Sequence, residues 1–200
     1  MTPSQELRRR FGDIDIYLFD QLLRGRLDRR GRILDAGCGG GRNLPFLIEH
    51  GFDICAIDRD PAAVGTVAGM LSGRGDVRQG SLDALPWDTA TMDAVICSAV
   101  LHFAQDEAQF DAMTAELWRV LRPGGLFFAR LASSIGIETL LPARRGRMQL
   151  PDGSHRFVVD EQKILETTET NRGSLLDPIK TTNVHNQRAM TTWVAQKHTM

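Results

Sequence analysis

What this 200-residue sequence has little of narrows its chemistry first. It has no charge surplus: 24 lysines and arginines face 25 aspartates and glutamates, a formal net charge of −1. A protein that grips a nucleic-acid backbone usually carries a basic excess, so the balance argues against DNA or RNA as the main partner. Cysteine is scarce. Cys38, Cys55 and Cys97 stand apart, each in or beside an apolar strand and none in Cys-x-x-Cys spacing. They read as buried thiols in a reducing compartment, not as a disulfide or zinc framework. No apolar run approaches the roughly 20 residues of a membrane span, and the start, Met1 to Arg10, has no apolar signal core. No His/Cys/Asp cluster shows metal spacing, and there is no internal repeat. The expectation is a cytoplasmic, single-domain chain over 1–200, with no membrane partner and no metal.

What is present centres on Ile33-Leu34-Asp35-Ala36-Gly37-Cys38-Gly39-Gly40-Gly41-Arg42-Asn43. An apolar run ends in an acid, a glycine-rich turn follows, and a helix start comes next. Gly37, Gly39 and Gly41 let backbone approach a ligand without a Cβ in the way, and a helix start offers free N–H groups. A dinucleotide fingerprint needs a third glycine where Arg42 stands, and a P-loop needs Gly-Lys-Ser/Thr. Asp35, just before the turn, repels a pyrophosphate and suits a cationic ligand such as an amino-acid ammonium. A tight turn with no ligand is the plain alternative. The next apolar run, Ile54 to Ile57, ends in Asp58, about twenty residues past the loop, where an acid commonly holds ribose hydroxyls. Asp60 before Pro61 reads as a helix cap.

The spacing predicts strands at Arg32–Asp35, Ile54–Ile57, Val77–Gln79, Ala94–Ser98 and Leu126–Leu131. Helices are predicted from about Asn43 to His50, over Pro61–Leu71, and through Phe110, Met113, Leu117 and Leu121. Strands alternating with helices imply a doubly wound, Rossmann-like α/β sheet, mostly parallel, with helices on both faces and its site beyond the strand ends. Within the leading segment, 1–30, Leu7, Phe11, Ile14, Leu18 and Leu22 mark a helical face that Gly12 interrupts. The stretch 133–157 reads as an irregular, lid-like insertion. A helix opened by Asp160 and strands at Ile179–Val184 and Met190–Val194 follow.

Five segments in order and register resemble the class I S-adenosylmethionine-dependent methyltransferases. They are Asp35–Gly41, Ala56-Ile57-Asp58, Ala84-Leu85-Pro86-Trp87, Met92–Cys97 and Leu121-Arg122-Pro123-Gly124-Gly125. The match covers about 31 to 132. The Gly39–Asn43 stretch is loosely similar to tellurite-resistance-type members. The resemblance implies a seven-stranded sheet with an antiparallel last strand and S-adenosylmethionine as cofactor. Gly37, Cys38 and Gly39 would line its methionine part, and Asp35 would help place the ammonium. Arg42 and Asn43 open the following helix beside them, with Ser98 at the tip of the fourth strand. Asp58 would take the ribose hydroxyls, with Arg59 beside the adenine. Where the family usually has an acid for the adenine amino group this chain has Ser81, then Leu82, with Asp83 two residues on. The Ser81-Leu82 pair is the preferred reading.

Ser98 to Phe103 follows the fourth strand, where an acceptor would meet the methyl group. His102 is the candidate general base, since imidazole titrates near neutral pH; a pocket wall without a proton role is the alternative. Arg144, Arg145, Arg147 and Arg156 concentrate charge in the insertion, either a lid attracting an anionic acceptor or a solvated loop. Trp87, Phe103 and Trp193 offer an aromatic wall, although Trp193, at strand spacing, also reads as core. The expected function is methyl transfer to a small-molecule acceptor. The alternatives are a non-catalytic binder of S-adenosylmethionine or S-adenosylhomocysteine, or a protein methyltransferase.

Overall fold

A computed structural model describes residues 2–27 and 31–199. Residues 1 and 28–30 of the leading segment lie outside the described residues. Gly12, at φ +63°, divides that segment into helices α1 (Pro3–Phe11) and α2 (Ile16–Leu23). Asp15 caps α2 by accepting the Tyr17 N–H at 3.0 Å.

The central sheet begins with the parallel strands β1 (Arg32–Ala36), β2 (Asp53–Asp58), β3 (Asp76–Gln79), β4 (Met92–Ser98) and β5 (Leu121–Ser133). Helices α3 (Pro45–Glu49), α4 (Pro61–Leu71) and α5 (Glu107–Val120) connect them. The helix expected from Asn43 starts two residues later, because Asn43 turns inward and its Oδ1 accepts the Asp15 N–H at 3.0 Å.

The stretch expected to be irregular contains a hairpin, β6 (Gly146–Gln149) with β7 (His155–Val158). It docks on the end of β5, where Ser134 N–H donates to the Val159 carbonyl at 2.9 Å. Helix α6 (Glu161–Thr170) follows, with Asp160 as its cap. Three strands then complete the sheet: β8 (Gly173–Leu175), β9 (Lys180–Val184) and β10 (Arg188–Lys197). The order is β3-β2-β1-β4-β5-β10-β8, with β9 also on β10, and β10 runs antiparallel to β5. The sheet therefore has eight strands; three-residue β8 carries too little pattern to be seen in sequence. Among the described residues no helix is long and apolar enough to cross a membrane.

Alternation along β5 shows how the core is divided. Phe127 packs with Trp118 and Trp193 on one face, and Phe128 with Leu18, Ile33 and Ile96 on the other. Trp193 is thus core, and Trp87 is buried with its indole N–H donating to Asp76 Oδ2 at 2.8 Å. The three cysteines are free and buried. Truncating Phe128, fully buried between β5 and its neighbours, to alanine should lower unfolding free energy by about 3–5 kcal/mol, measured by urea denaturation.

Candidate functional site

The glycine loop after β1 is docked on the end of β2. Gly37 and Cys38 N–H groups donate to the Ile57 carbonyl at 2.8 and 3.0 Å. The Gly39 N–H donates to Asp58 Oδ2 at 2.8 Å, and the Asp60 N–H to Oδ1 at 3.0 Å. Gly37 has φ +75°, and a Cβ there would lie 2.4 Å from Val100 Cγ2. Both the conformation and the space demand glycine.

Between this loop, the end of β2 and the segment after β4 lies a cavity of about 480 Å³. Of the residues expected from sequence, Gly37, Cys38, Gly39, Arg42, Asn43, Asp58, Arg59, Leu82 and Ser98 line it. Gly40, Gly80, Ala99, Val100, Phe103 and Met113 complete the wall. Met113 has no local signal: its spacing on α5 marks only a core face. Phe103, half-exposed, supplies the aromatic wall that neither Trp87 nor Trp193 reaches.

Asp35, Ser81, Asp83 and His102 are not on the wall. Asp35 is buried behind the loop, and its Oδ2 has no hydrogen-bond partner. Burial pushes its pKa up to about 7, against the pull of Arg42 and with a push from Asp58. Ser81 Oγ accepts from Arg59 Nη2 at 2.7 Å and Nε at 3.2 Å. Asp83 accepts from Gln109 Nε2 at 3.1 Å and lies 4.0 Å from the same guanidinium. Hydrogen bonds from Ser81 and Gln109 hold the Asp83 carboxyl below its usual range. Both residues expected to compete for the adenine instead position Arg59.

His102, the expected base, sits on a 3-10 turn (Leu101–Phe103) with its ring turned to β5. It is 5% exposed, and its Nδ1 accepts the Ala132 N–H at 3.3 Å. Burial, then the charges of Arg156, Arg188 and Arg130, push its pKa down to about 4. It is a neutral core imidazole, because sequence places it at a strand end without showing which way the turn points it. The basic insertion is likewise dispersed. Arg145 pairs with Glu166, Arg147 donates to the Ala104 carbonyl, and Arg156 lies over the Phe103 ring at 4.9 Å.

Asp15 is a further residue that sequence reasoning missed. Its side chain is 0% exposed. Its Oδ2 accepts from Ser98 Oγ at 2.8 Å and faces Arg42 Nη2 at 3.2 Å and Arg130 Nη1 at 3.4 Å. Its one visible signal, an acid before an apolar run, accounts only for the cap made by Oδ1. The other partners lie far along the chain.

The methyltransferase domain family profile matches residues 34–129. A probable S-adenosylmethionine-dependent methyltransferase of Mycolicibacterium smegmatis is 35% identical over 113 residues, 54% of this chain and 42% of that protein. The chain spans less than half the length of that curated relative. A Burkholderia thailandensis 1,6-didemethyltoxoflavin-N1-methyltransferase, solved with its substrate and S-adenosylhomocysteine, superposes with TM-score 0.72 at 19% identity. That match covers 94% of this chain and 80% of the other. The [4+2]-cyclase SpnF superposes with TM-score 0.71 at 17% identity, covering 90% and 82%. At these identities the structural matches establish the fold alone.

The Asp35 carboxyl gives a pH signature. Unfolded, it titrates near 3.9; folded, at about 7. Folding therefore takes up a proton between those values, and the group's contribution to stability is lost as pH rises through that window. Asp35→Asn should gain stability relative to the parent between pH 5 and pH 8, by about 1 kcal/mol or more, in paired urea titrations; an equal difference at both pH values would refute the assignment. By its ordered motifs, its docked glycine loop and its profile match, residues 34–129 carry a methyltransferase domain similar to those of the class I S-adenosylmethionine-dependent methyltransferases.

Proposed function

We propose that this chain transfers the methyl group of S-adenosylmethionine to a small, anionic acceptor. The observation that carries this reading is the cavity across the tips of β3, β2, β1 and β4. Asp58 stands at one side and Ser98 with Phe103 at the other. The residues present fit the cofactor. Asp58 is oriented by two backbone N–H groups and keeps lone pairs free for ribose hydroxyls. Leu82 and Met113 offer apolar contact to an adenine, with Arg59 held beside it by Ser81 and Asp83. Gly37, Cys38 and Gly39 line the methionine part. The orphaned Asp35 oxygen, buried behind them, gains the counter-charge it lacks when an ammonium occupies the cavity.

When bound, S-adenosylmethionine supplies a methyl carbon already activated by a positive sulfur. The chain's own task is then to orient the acceptor and exclude water, which is worth on the order of 7 to 11 kcal/mol at best. Among the described residues, the titratable side chains on the wall are Cys38, Arg42, Asp58 and Arg59. Burial pushes the Cys38 thiol up to about 12, so it is a poor proton acceptor. Asp58 is taken up by backbone donors and the ribose hydroxyls, and His102 is off the wall. A wall without a general base suits an acceptor that arrives ionised. The arginines around His102 and over Phe103 favour the same sign of charge.

The fold also accommodates the protein named as a cyclase. Binding of S-adenosylmethionine without methyl loss across a broad acceptor panel would favour a non-transferring reading. Isothermal titration should detect S-adenosylmethionine and S-adenosylhomocysteine. Asp58→Ala should weaken both by about 1–3 kcal/mol, the cost of leaving buried polar partners unmade; unchanged affinity would refute the ribose assignment. Methyl transfer should show no pH limb attributable to His102, and His102→Asn should keep the parent's pH profile in a labelled-methyl assay. A limb near pH 6.5 that disappears in this variant would restore His102 as a base.

A further inference from the structure

We propose that Arg130, with Thr192 beside it, recognises an oxyanion on the acceptor and so sets substrate specificity. The inference rests on the methyl-transfer reading above and names the group that would hold the substrate.

Ser98 on β4, Arg130 on β5 and Thr192 on β10 are consecutive register partners across two ladders. Residues directly opposite one another in neighbouring strands put their side chains on the same face. Ser98 belongs to the cavity wall, so the row Ser98–Arg130–Thr192 leads outward from the cavity. The leading segment covers it. Asp15 meets Ser98 and Arg130, and the Tyr17 ring lies 5.2 Å from the Arg130 guanidinium. The Tyr17 hydroxyl in turn shares a 2.5 Å hydrogen bond with Thr182 of β9.

Two features of this row are not explained by packing. First, Arg130 Nε and Thr192 Oγ1 are both buried and neither has a hydrogen-bond partner. A buried donor left unmade is costly, and such groups call for a partner that the chain itself does not supply. Second, the charge is unbalanced. Arg42 and Arg130 share a single carboxylate oxygen of Asp15, which leaves one positive charge over. An unused guanidinium N–H next to an unused hydroxyl matches the two oxygens of a carboxylate or of a phosphate group. Tyr17 holds the guanidinium plane, so little side-chain freedom is lost on binding. Of this row only Ser98 is on the cavity wall; Arg130 and Thr192 lie one and two strands beyond it, so the acceptor's charged end reaches them past Ser98 while its nucleophile stays in the cavity.

The test uses benzoate, phenyl phosphate and neutral benzamide, titrated into protein saturated with S-adenosylhomocysteine. At least one anion should bind at about 10 mM or below, with benzamide weaker by about tenfold or more. The stronger of the two anions separates a carboxylate from a phosphate site. Arg130→Met should weaken that anion by about tenfold or more, while S-adenosylhomocysteine affinity stays within about twofold. Arg130→Lys should recover part of the loss, since an ammonium keeps the charge but not the fork. Thr192→Val, a nearly isosteric change, provides a second variant with the same direction of effect should Arg130→Met fold poorly. The proposal is overturned if benzamide binds as well as the anions, if neither anion binds, or if both variants bind anion like the parent. Loss of S-adenosylhomocysteine binding in the parent protein would instead count against the cofactor reading, and the anion titration is then repeated without it.

Discussion

The docking of the glycine loop on the end of β2 is the contact on which the site depends. Two loop N–H groups end on the Ile57 carbonyl and a third on the Asp58 carboxylate. β1 and β2 run parallel and in register from Arg32↔Asp53 to Ala36↔Ile57, so their tips arrive together and the loop must turn back at once. Only a backbone at positive φ does so while Val100, in the segment after β4, crowds Gly37. Once this turn is made, Asp58 has one orientation and Asp35 is sealed beneath it.

The sealing has an electrostatic consequence. A buried carboxyl with one oxygen unpartnered favours its neutral form. A cation brought into the cavity would favour the charged form instead, since an opposite charge nearby lowers a carboxyl's pKa. His102 shows the opposite case: burial and surrounding arginines hold it neutral. Arginines thus surround the end of the cavity near Phe103, while His102 is turned away from the wall.

The leading segment is joined to this chemistry through Asp15. A single carboxylate caps α2, receives the Ser98 hydroxyl and faces two arginines from different parts of the chain. Asn43 adds a second tie by accepting the Asp15 N–H. The helices that precede β1 therefore act as part of the cavity wall's support, and these polar ties add to the apolar packing of Leu18 and its neighbours.

Local chemistry made the sheet and cofactor side legible. Apolar runs ending in Asp35 and Asp58, with glycines between them, can be read because strand, turn and helix each leave a pattern within a few residues. The break at Gly12 was legible for the same reason, whereas the antiparallel last strand was implied by the family resemblance. Side-chain direction at strand tips was not. His102 turned to the core, and Ser81 and Asp83 turned to Arg59, because their partners come from elements distant in sequence. The hairpin at 146–158 was hidden by its two glycines and one proline, although its pairing is regular. By itself, then, the sequence determined the order of elements and the glycine loop between β1 and α3, since both follow from neighbouring residues. The tertiary structure alone decided which polar groups meet beside the cavity. Asp15, Ser98, Arg130 and Thr192 become neighbours only when the helices before β1 close over strands β4, β5 and β10.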